Sequence, residues 1–352
     1  MKTSSQRRRF VIVALTALLV ALLLLGAGVG AMAIPPAQVA AILMKAVGFT
    51  PLAEFSAGQE AVLLSIRLPR VLLGALVGGA LALAGGAMQG LFRNPLADPG
   101  LLGVSSGAAL SAFAVFVFGA ALMPQLPEAL RVLLLPAAAF VGGLCAILVI
   151  YSLSRDGGQI RVPTMLMAGI AVNALCGAGI GLFSFLATDA QLRGFTFWSL
   201  GSLGGATWSS LAVAAPVFLV AIIAFVRLAR PLNLLALGET EASHLGAPVE
   251  RLKLTVAALC ALVVGTAVSV SGAIGFVGLV VPHLIRMTLG PDHRGLLPAS
   301  MLGGASLLVV ADLIARTVAS PAELPIGILT ALVGGPFFLY LLMRNRGSRA
   351  WN

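Results

Sequence analysis

LTVAALCALVVGTAVSVSGAIGFVGLVVPHLI, residues Leu254–Ile285, carries no charged side chain along its whole length. A bilayer core takes about 20 consecutive apolar residues per spanning helix. The stretch therefore holds one crossing and, past Gly272, the start of another. Working outward, the same composition recurs in both directions. Between Phe10 and Glu54 the only charge is Lys45, and hydrophobic residues make up 59 % of the 352 against 10 % charged. Charges fall almost entirely at the ends of membrane-length segments. The chain reads as an all-α integral membrane protein.

The pattern predicts about ten transmembrane helices, over residues 10–32, 62–90, 100–122, 132–153, 164–186, 208–228, 252–272, 276–289, 296–316 and 325–343. They form one domain over 1–352, with short termini at 1–9 and 344–352. Turn chemistry marks the breaks: Ile34-Pro35-Pro36, Asn94-Pro95, Asp98-Pro99-Gly100, Asp156-Gly157-Gly158 and Gly290-Pro291-Asp292. The eighth helix is short for a span. A broken or re-entrant segment is tolerated there if protein or a water-filled cavity covers its backbone. Lys2, Arg7-Arg8-Arg9 and Ala31-Met32-Ala33 imitate a secretory signal. The apolar run Phe10–Ile34 exceeds a signal core of about 7–15 residues, so an uncleaved first helix is expected.

Ten crossings with the N-terminus inside put Lys2, Arg7, Arg8, Arg9, Arg93, Arg155, Arg161, Arg227, Arg230, Arg251, Lys253, Arg286, Arg294, Arg344, Arg346 and Arg349 in the cytoplasm. That is 16 of the 22 basic residues. The other six are Lys45, Arg67, Arg70, Arg131, Arg193 and Arg316. The reverse orientation inverts the ratio and breaks the positive-inside rule, so both termini are expected to be cytoplasmic. The same rule accounts for the net charge of +10, which in a soluble chain would suggest nucleic acid. No nucleic-acid partner is expected; the surrounding partner is membrane lipid.

Several chemistries have no residues to carry them. A phosphate-cradling P-loop needs G-x-x-x-x-G-K-[ST], and none of the three lysines follows a glycine. The chain is thus expected to be no ATPase itself, and energy for any transport must come from outside it. H-E-x-x-H, paired cysteines and G-x-S-x-G are also missing. Cys145, Cys176 and Cys260 lie in apolar stretches without paired spacing, which argues against disulfides or a zinc site. No catalytic and no metal residues are assigned. Asp312 is the only acidic residue well inside a predicted span, with Arg316 at ion-pair spacing four residues on. Gly74 with Gly78, and Gly177 with Gly181, have the small-xxx-small spacing of close helix contacts.

Two stretches are candidates for function. Arg67-Leu68-Pro69-Arg70 and Arg316 sit near outer helix ends, against the charge rule. They either snorkel to headgroups or present bidentate forks to an external partner's carboxylates. Leu237–Pro248, inside a cytoplasmic loop of about 231–250, places Glu239 and Glu241 in the first turn of a short helix, where the dipole favours anions. Gly246 and Pro248 stop it. Such a helix is a plain connector or a rigid peg for a cytoplasmic partner.

With these residues in view, the chain resembles the permease subunits of ATP-binding-cassette importers for ferric siderophores, haem and cobalamin. The matching stretches are Arg67–Arg70, Met88–Gly103 running into Ser105-Ser106-Gly107-Ala108, Leu237–Gly246, Ser271–Arg286, Ala311-Asp312 with Ala315-Arg316, and Glu323–Gly327 through Gly335–Phe338. The resemblance implies a type II importer permease of about ten helices in the inner membrane, pairing with a second copy. It implies a periplasmic binding protein docking on Arg67, Arg70 and Arg316. It implies two separate ATPase subunits, which bind ATP-Mg and receive Gly238, Glu239, Thr240, Glu241, His244, Leu245 and Gly246. Asn94, Pro95 and Leu96 resemble the cytoplasmic gate region. The permease itself binds no cofactor.

Asp98–Gly103, Thr188–Arg193, Trp198 and Gly201–Gly204 look most like haem permeases. Haem is then the transported substrate, with ferric siderophore and cobalamin as alternatives. Arg193 could mark a substrate entrance that attracts propionates; the plainer reading is an Asp189–Arg193 pair at i,i+4. His283 falls in a general family motif and reads as structural. The rival class is an ion-coupled secondary carrier, which usually buries several carboxylates along a path.

Overall fold

In a computed structural model, residues 4–156, 159–320 and 322–345 are described. Lys2, Arg346, Arg349 and the Gly157-Gly158 turn lie outside them. The helices are α1 (Ser4–Gly28), α2 (Pro36–Ala46), α3 (Ala57–Leu91), α4 (Val104–Leu122), α5 (Glu128–Ser154), α6 (Val162–Leu186), α7 (Asp189–Ser199), α8 (Trp208–Arg227), α9 (Ala229–Leu235), α10 (Glu239–His244), α11 (Val249–Ser271), α12 (Val277–Leu289), α13 (His293–Thr317) and α14 (Ile326–Asn345). By length and composition α1, α3, α5, α6, α8, α11 and α13 can each cross a membrane; α4, α12 and α14 are shorter apolar helices. All ten predicted segments are therefore helical, seven of them long enough to cross. Between α5 and α6, β1 (Arg155–Asp156) pairs antiparallel with β2 (Gln159–Ile160). This hairpin, α9 and α10 lie on one face, called near; α2 and α7 lie on the other, called far.

The centre is α3, because its sequence is small. From Val77 to Leu91 every residue is buried. Without a hydrophobic drive between helices in lipid, close backbone approach is what holds a bundle together. A Cβ at Gly78 would collide with the Gly304 carbonyl of α13, and one at Gly85 with the Gly278 backbone of α12. Gly107 of α4 meets Gly142 of α5 in the same way. The expected contact at Gly78 is present. Gly177 and Gly181 on α6 have nothing within 4 Å of a would-be Cβ among the described residues, so there they bring no other helix close.

Two segments stop inside the bundle. After α3, residues 92–103 fold back beside it, so that a Cβ on Gly278 would sit 3.3 Å from Pro99 and 3.0 Å from the Leu81 carbonyl. After α11, residues 272–276 descend before α12 starts, so α12 has only 13 residues. The eighth span is thus a half-helix, as its length suggested. The fold-back was not foreseen: the third span was expected to start at residue 100 on the near face.

One local defect in α3 also has a cause. Val62–Arg67 forms a π turn, and Pro69 supplies no N–H for the Leu64 carbonyl five residues back. The Trp208 indole N–H donates to that carbonyl at 2.8 Å, filling the vacancy left by the proline.

Candidate functional site

The far face holds the arginines expected to dock a partner, and the structure gives all three of them partners within the chain. Arg67 and Arg70 are only 4 % and 6 % exposed. A helix leaves its last four carbonyls without partners, a heavy cost away from water. Arg67 donates to the carbonyls of Ala27 (3.0 Å), Gly28 (2.7 Å) and Met32, and Arg316 donates to Gly26 at 2.5 Å. These two cations cap the end of α1, the sign the helix dipole favours there. Arg70 Nε lies 2.9 Å and 3.2 Å from the Asp312 oxygens, while its Nη atoms hold Glu323 at 2.7 Å and 3.0 Å. Asp312 also faces Arg316 at 3.7 Å, the spacing-based pair. Each of the three guanidiniums is thus engaged inside the chain. What the sequence reading lacked was Glu323, far away in sequence, and the stranded α1 carbonyls.

On the same face α7 begins with a capping box, Thr188 and Gln191 bonding each other's backbone N–H groups. Gln191 also donates to the Val117 carbonyl at 3.1 Å, and the Phe195 ring stacks on Phe113. Arg193 is exposed. Among the described residues it forms no ion pair with Asp189, so the plainer i,i+4 reading fails.

Between the faces, the fold-back brings Asp98 into the bundle. It borders a cavity of about 170 Å³ with Leu81, Ser105, Val264, Ile274 and Phe276. The Asp98 carboxylate accepts the Gly100 N–H at 2.7 Å. Asp312 is therefore not the only carboxylate at depth. Asn94, Pro95 and Leu96 form the turn that starts the fold-back: Asn94 Oδ1 accepts the Leu96 N–H at 2.9 Å, an Asx turn. Gln89, just before it, donates to the Leu279 carbonyl of α12 at 3.1 Å. His283 packs edge-on against Phe337. Among the described residues no group of His, Cys, Asp and Glu could hold a metal ion.

The near face presents α10. Gly238 starts it at φ +131°, and Gly246 ends it at φ +84°. The stop is a Schellman pair, Gly246 N–H to Ser243 and Ala247 N–H to Ala242, both 2.9 Å. Only Ala242 is buried; Glu239, Thr240, Glu241, His244 and Leu245 are exposed. Lys253, buried in α11, gathers Glu239 (2.7 Å), Glu250 (3.0 Å) and the Ile160 carbonyl (3.0 Å), and Glu250 accepts the Ile160 N–H at 2.8 Å. One ammonium thus ties α10 and the hairpin to a spanning helix. From α9, Asn233 accepts the His293 N–H (2.9 Å) and lies 2.8 Å from its ring Nδ1. The Asn233 amide donates to Asp292 at 2.7 Å. Partial burial works against ionisation of Asp292. The Arg294 N–H, the Asn233 amide and the charges of Arg294 and Arg8 outweigh it and hold the carboxyl below the usual aspartate range.

Comparison with known proteins adds to this geometry. The model of the FecCD transport family matches residues 18–344. The chain is 54 % identical over 288 residues to the hemin transport system permease protein HmuU of Yersinia pestis, covering 82 % of this chain and 84 % of that one. It is 45 % identical to the cobalamin import system permease protein BtuC of Halobacterium salinarum (81 % and 74 % covered). It is 40 % identical to the Fe(3+) dicitrate transport system permease protein FecD of Escherichia coli (84 % and 90 %). A solved structure, a metal-chelate type ABC transporter in an inward-facing conformation, superposes with a TM-score of 0.82 at 31 % identity. The match covers 96 % of this chain and 99 % of that one.

Proposed function

Since this chain belongs to the FecCD transport family, we propose that it is an importer permease whose cargo is haem, delivered outside the membrane and released into the cytoplasm. Permeases of this family are multi-pass proteins of the bacterial inner membrane, working with a separate ATPase and a binding protein. Haem is favoured over cobalamin and ferric dicitrate by the higher identity to the hemin permease. The near face is then cytoplasmic, as the basic residues require.

The observation that carries the transport reading is α10, an exposed peg bounded by Gly238 and Gly246 and fastened to α11 through Lys253. Seated in an ATPase cleft, it would pass each movement of the ATPase to α11 through Lys253. Asn233 and His293 would carry the same movement to α13. ATP-Mg belongs to that partner. A second copy of the permease would cover the open Gly177–Gly181 face of α6, which also exposes Ile170 and Phe185.

The test is reconstitution with the cognate ATPase and binding protein. The purified binding protein should show a Soret band, and haem should enter liposomes only while ATP is hydrolysed. A siderophore charge-transfer band would move the cargo to the ferric chelates. A cobalamin spectrum would move it to the corrinoids. Uptake driven by a proton gradient with a non-hydrolysable nucleotide would instead establish the carrier class.

A further inference from the structure

A groove of about 360 Å³ runs between α5 and α11, with almost no polar surface. Its α5 wall is Phe140, Leu144, Ile147, Leu148 and Tyr151. Its floor is Ala257, Ala258 and Ala261, with Leu254 and Leu262 along the rim. The two helices are antiparallel, so Tyr151 and Leu254 mark the near end. From Phe140 to Tyr151 the groove is about 16 Å long at 1.5 Å per helical residue. That is roughly one leaflet of a hydrocarbon core about 30 Å thick.

Both walls end in a cation. The α5 face that carries 144, 148 and 151 reaches Arg155 one turn further on, and Arg155 stands 5.7 Å from the Tyr151 ring centroid. The α11 face that carries 262, 258 and 254 reaches Arg251 in the other direction. Both arginines are exposed, and among the described residues neither makes an ion pair. The backbone around them is held: Glu250 accepts the Ile160 N–H and Lys253 donates to the Ile160 carbonyl, pinning the hairpin that begins at Arg155 onto α11 beside Arg251. The result is an apolar slot one leaflet long, with two exposed arginines beyond its near end that, among the described residues, carry no anion.

We propose that this groove binds one anionic phospholipid, an acyl chain lying on the alanine floor and the phosphate held between Arg155 and Arg251. Alanines make the floor low enough for a chain, and the leucine rim grips it by close contact. Guanidinium suits the phosphate because its planar fork bonds two oxygens at once. The proposal rests on the membrane reading of the chain but not on the identity of the cargo.

The experiment uses the full-length, detergent-purified chain incubated with equal amounts of phosphatidylglycerol and phosphatidylethanolamine of identical acyl chains. Native mass spectrometry then counts the retained lipid. Basic residues near a lipid surface contribute about fivefold each, so the pair should favour phosphatidylglycerol by about 25-fold. The double variant Arg155→Gln/Arg251→Gln should bring the preference close to one. Ala258→Phe should fill the floor and remove both adducts. A second reading leaves the arginines in place. Leu148→Trp on the rim should be quenched more by brominated phosphatidylglycerol than by brominated phosphatidylcholine at equal mole fraction.

No preference in the wild type overturns the proposal. So does a preference that survives the double variant, adducts that survive Ala258→Phe, or equal quenching by the two brominated lipids. Disulfide cross-linking of Leu148→Cys between two copies would overturn it in favour of a protein neighbour. A wild-type chain that takes up haem yet shows no lipid preference sinks this proposal and leaves the transport reading standing.

Discussion

Arg70 is the residue whose removal should cost most. Its side chain is 7 % exposed and its Asp312 partner 3 %, so the pair is shielded from water. Arg70→Met removes every short contact to Asp312 and leaves the carboxylate with Arg316 at 3.7 Å. Stranding one partner of a buried pair typically costs about 3–5 kcal/mol. Glu323 behaves differently. Its side chain is 41 % exposed, so water replaces much of what Arg70 gave it. Glu323→Gln should therefore cost no more than about 1 kcal/mol despite its two short bonds.

The assay is a double-mutant cycle on detergent-purified protein, unfolded in mixed micelles and followed by circular dichroism. Arg70→Met alone should lose about 3–5 kcal/mol, and Arg70→Met/Asp312→Leu should lose clearly less than the sum of the two single variants, the remaining cost being Arg316 left without its carboxylate. The coupling between the two sites should exceed about 2 kcal/mol. A loss below about 1 kcal/mol for Arg70→Met, or additive effects in the double variant, would refute the account of Arg70 as an internal clamp. It would return the side chain to the outer surface.

Other outcomes follow from the near face. Gly246→Val forces a β-branched residue to φ +84° and should cost about 1–2 kcal/mol locally. ATPase stimulation by the permease should fall while the spanning helices stay folded; unchanged stimulation would remove α10 from the coupling path. Lys253→Met removes charge-assisted bonds from α10 and the hairpin, worth about 1.5–3 kcal/mol each before discounting the half-exposed Glu239 and Glu250. More ATP should be spent per haem, measured as the ratio of hydrolysis to uptake in proteoliposomes. Asp292 supplies a pH dependence. Its folded pKa lies below its unfolded value, so its stabilisation is present above the ordinary range near 3.9 and disappears as pH falls through the folded pKa. Wild type and Asp292→Asn should differ at pH 6 and converge as the pH falls below the ordinary aspartate range; a constant gap would mean the carboxylate charge contributes nothing.

All ten apolar helices were legible because hydrocarbon allows only helix over such lengths, and composition alone signals hydrocarbon. The peg at Glu239–His244 was legible because its caps are local chemistry, Gly238 before it and Gly246 after it. The fold-back at 92–103 was not. Asn94-Pro95 and Asp98-Pro99-Gly100 announce turns but not their depth, which is set by Gly278 and Gly85, partners some 180 and 10 residues away. The exposure of Arg193 also escaped the spacing rule. An i,i+4 pair is worth only about 0.2–0.5 kcal/mol, too little to fix a surface side chain.

The internal bonding of the far-face arginines sharpens the topology argument. The positive-inside tendency concerns charges that must stay in water or at headgroups as segments insert. A guanidinium that ends up bonded to helix-end carbonyls or a buried carboxylate is a poor witness to that choice. Arg67, Arg70 and Arg316 are of this kind. Setting them aside, and by the same test the buried Lys253, leaves Lys45, Arg131 and Arg193 on the far face, against fifteen basic residues assigned to the near side. The three residues that seemed to dispute the orientation were never voting on it. With their burial accounted for, the case for a cytoplasmic near face, and with it for a peg that meets an ATPase, becomes stronger than the bare charge sum suggested.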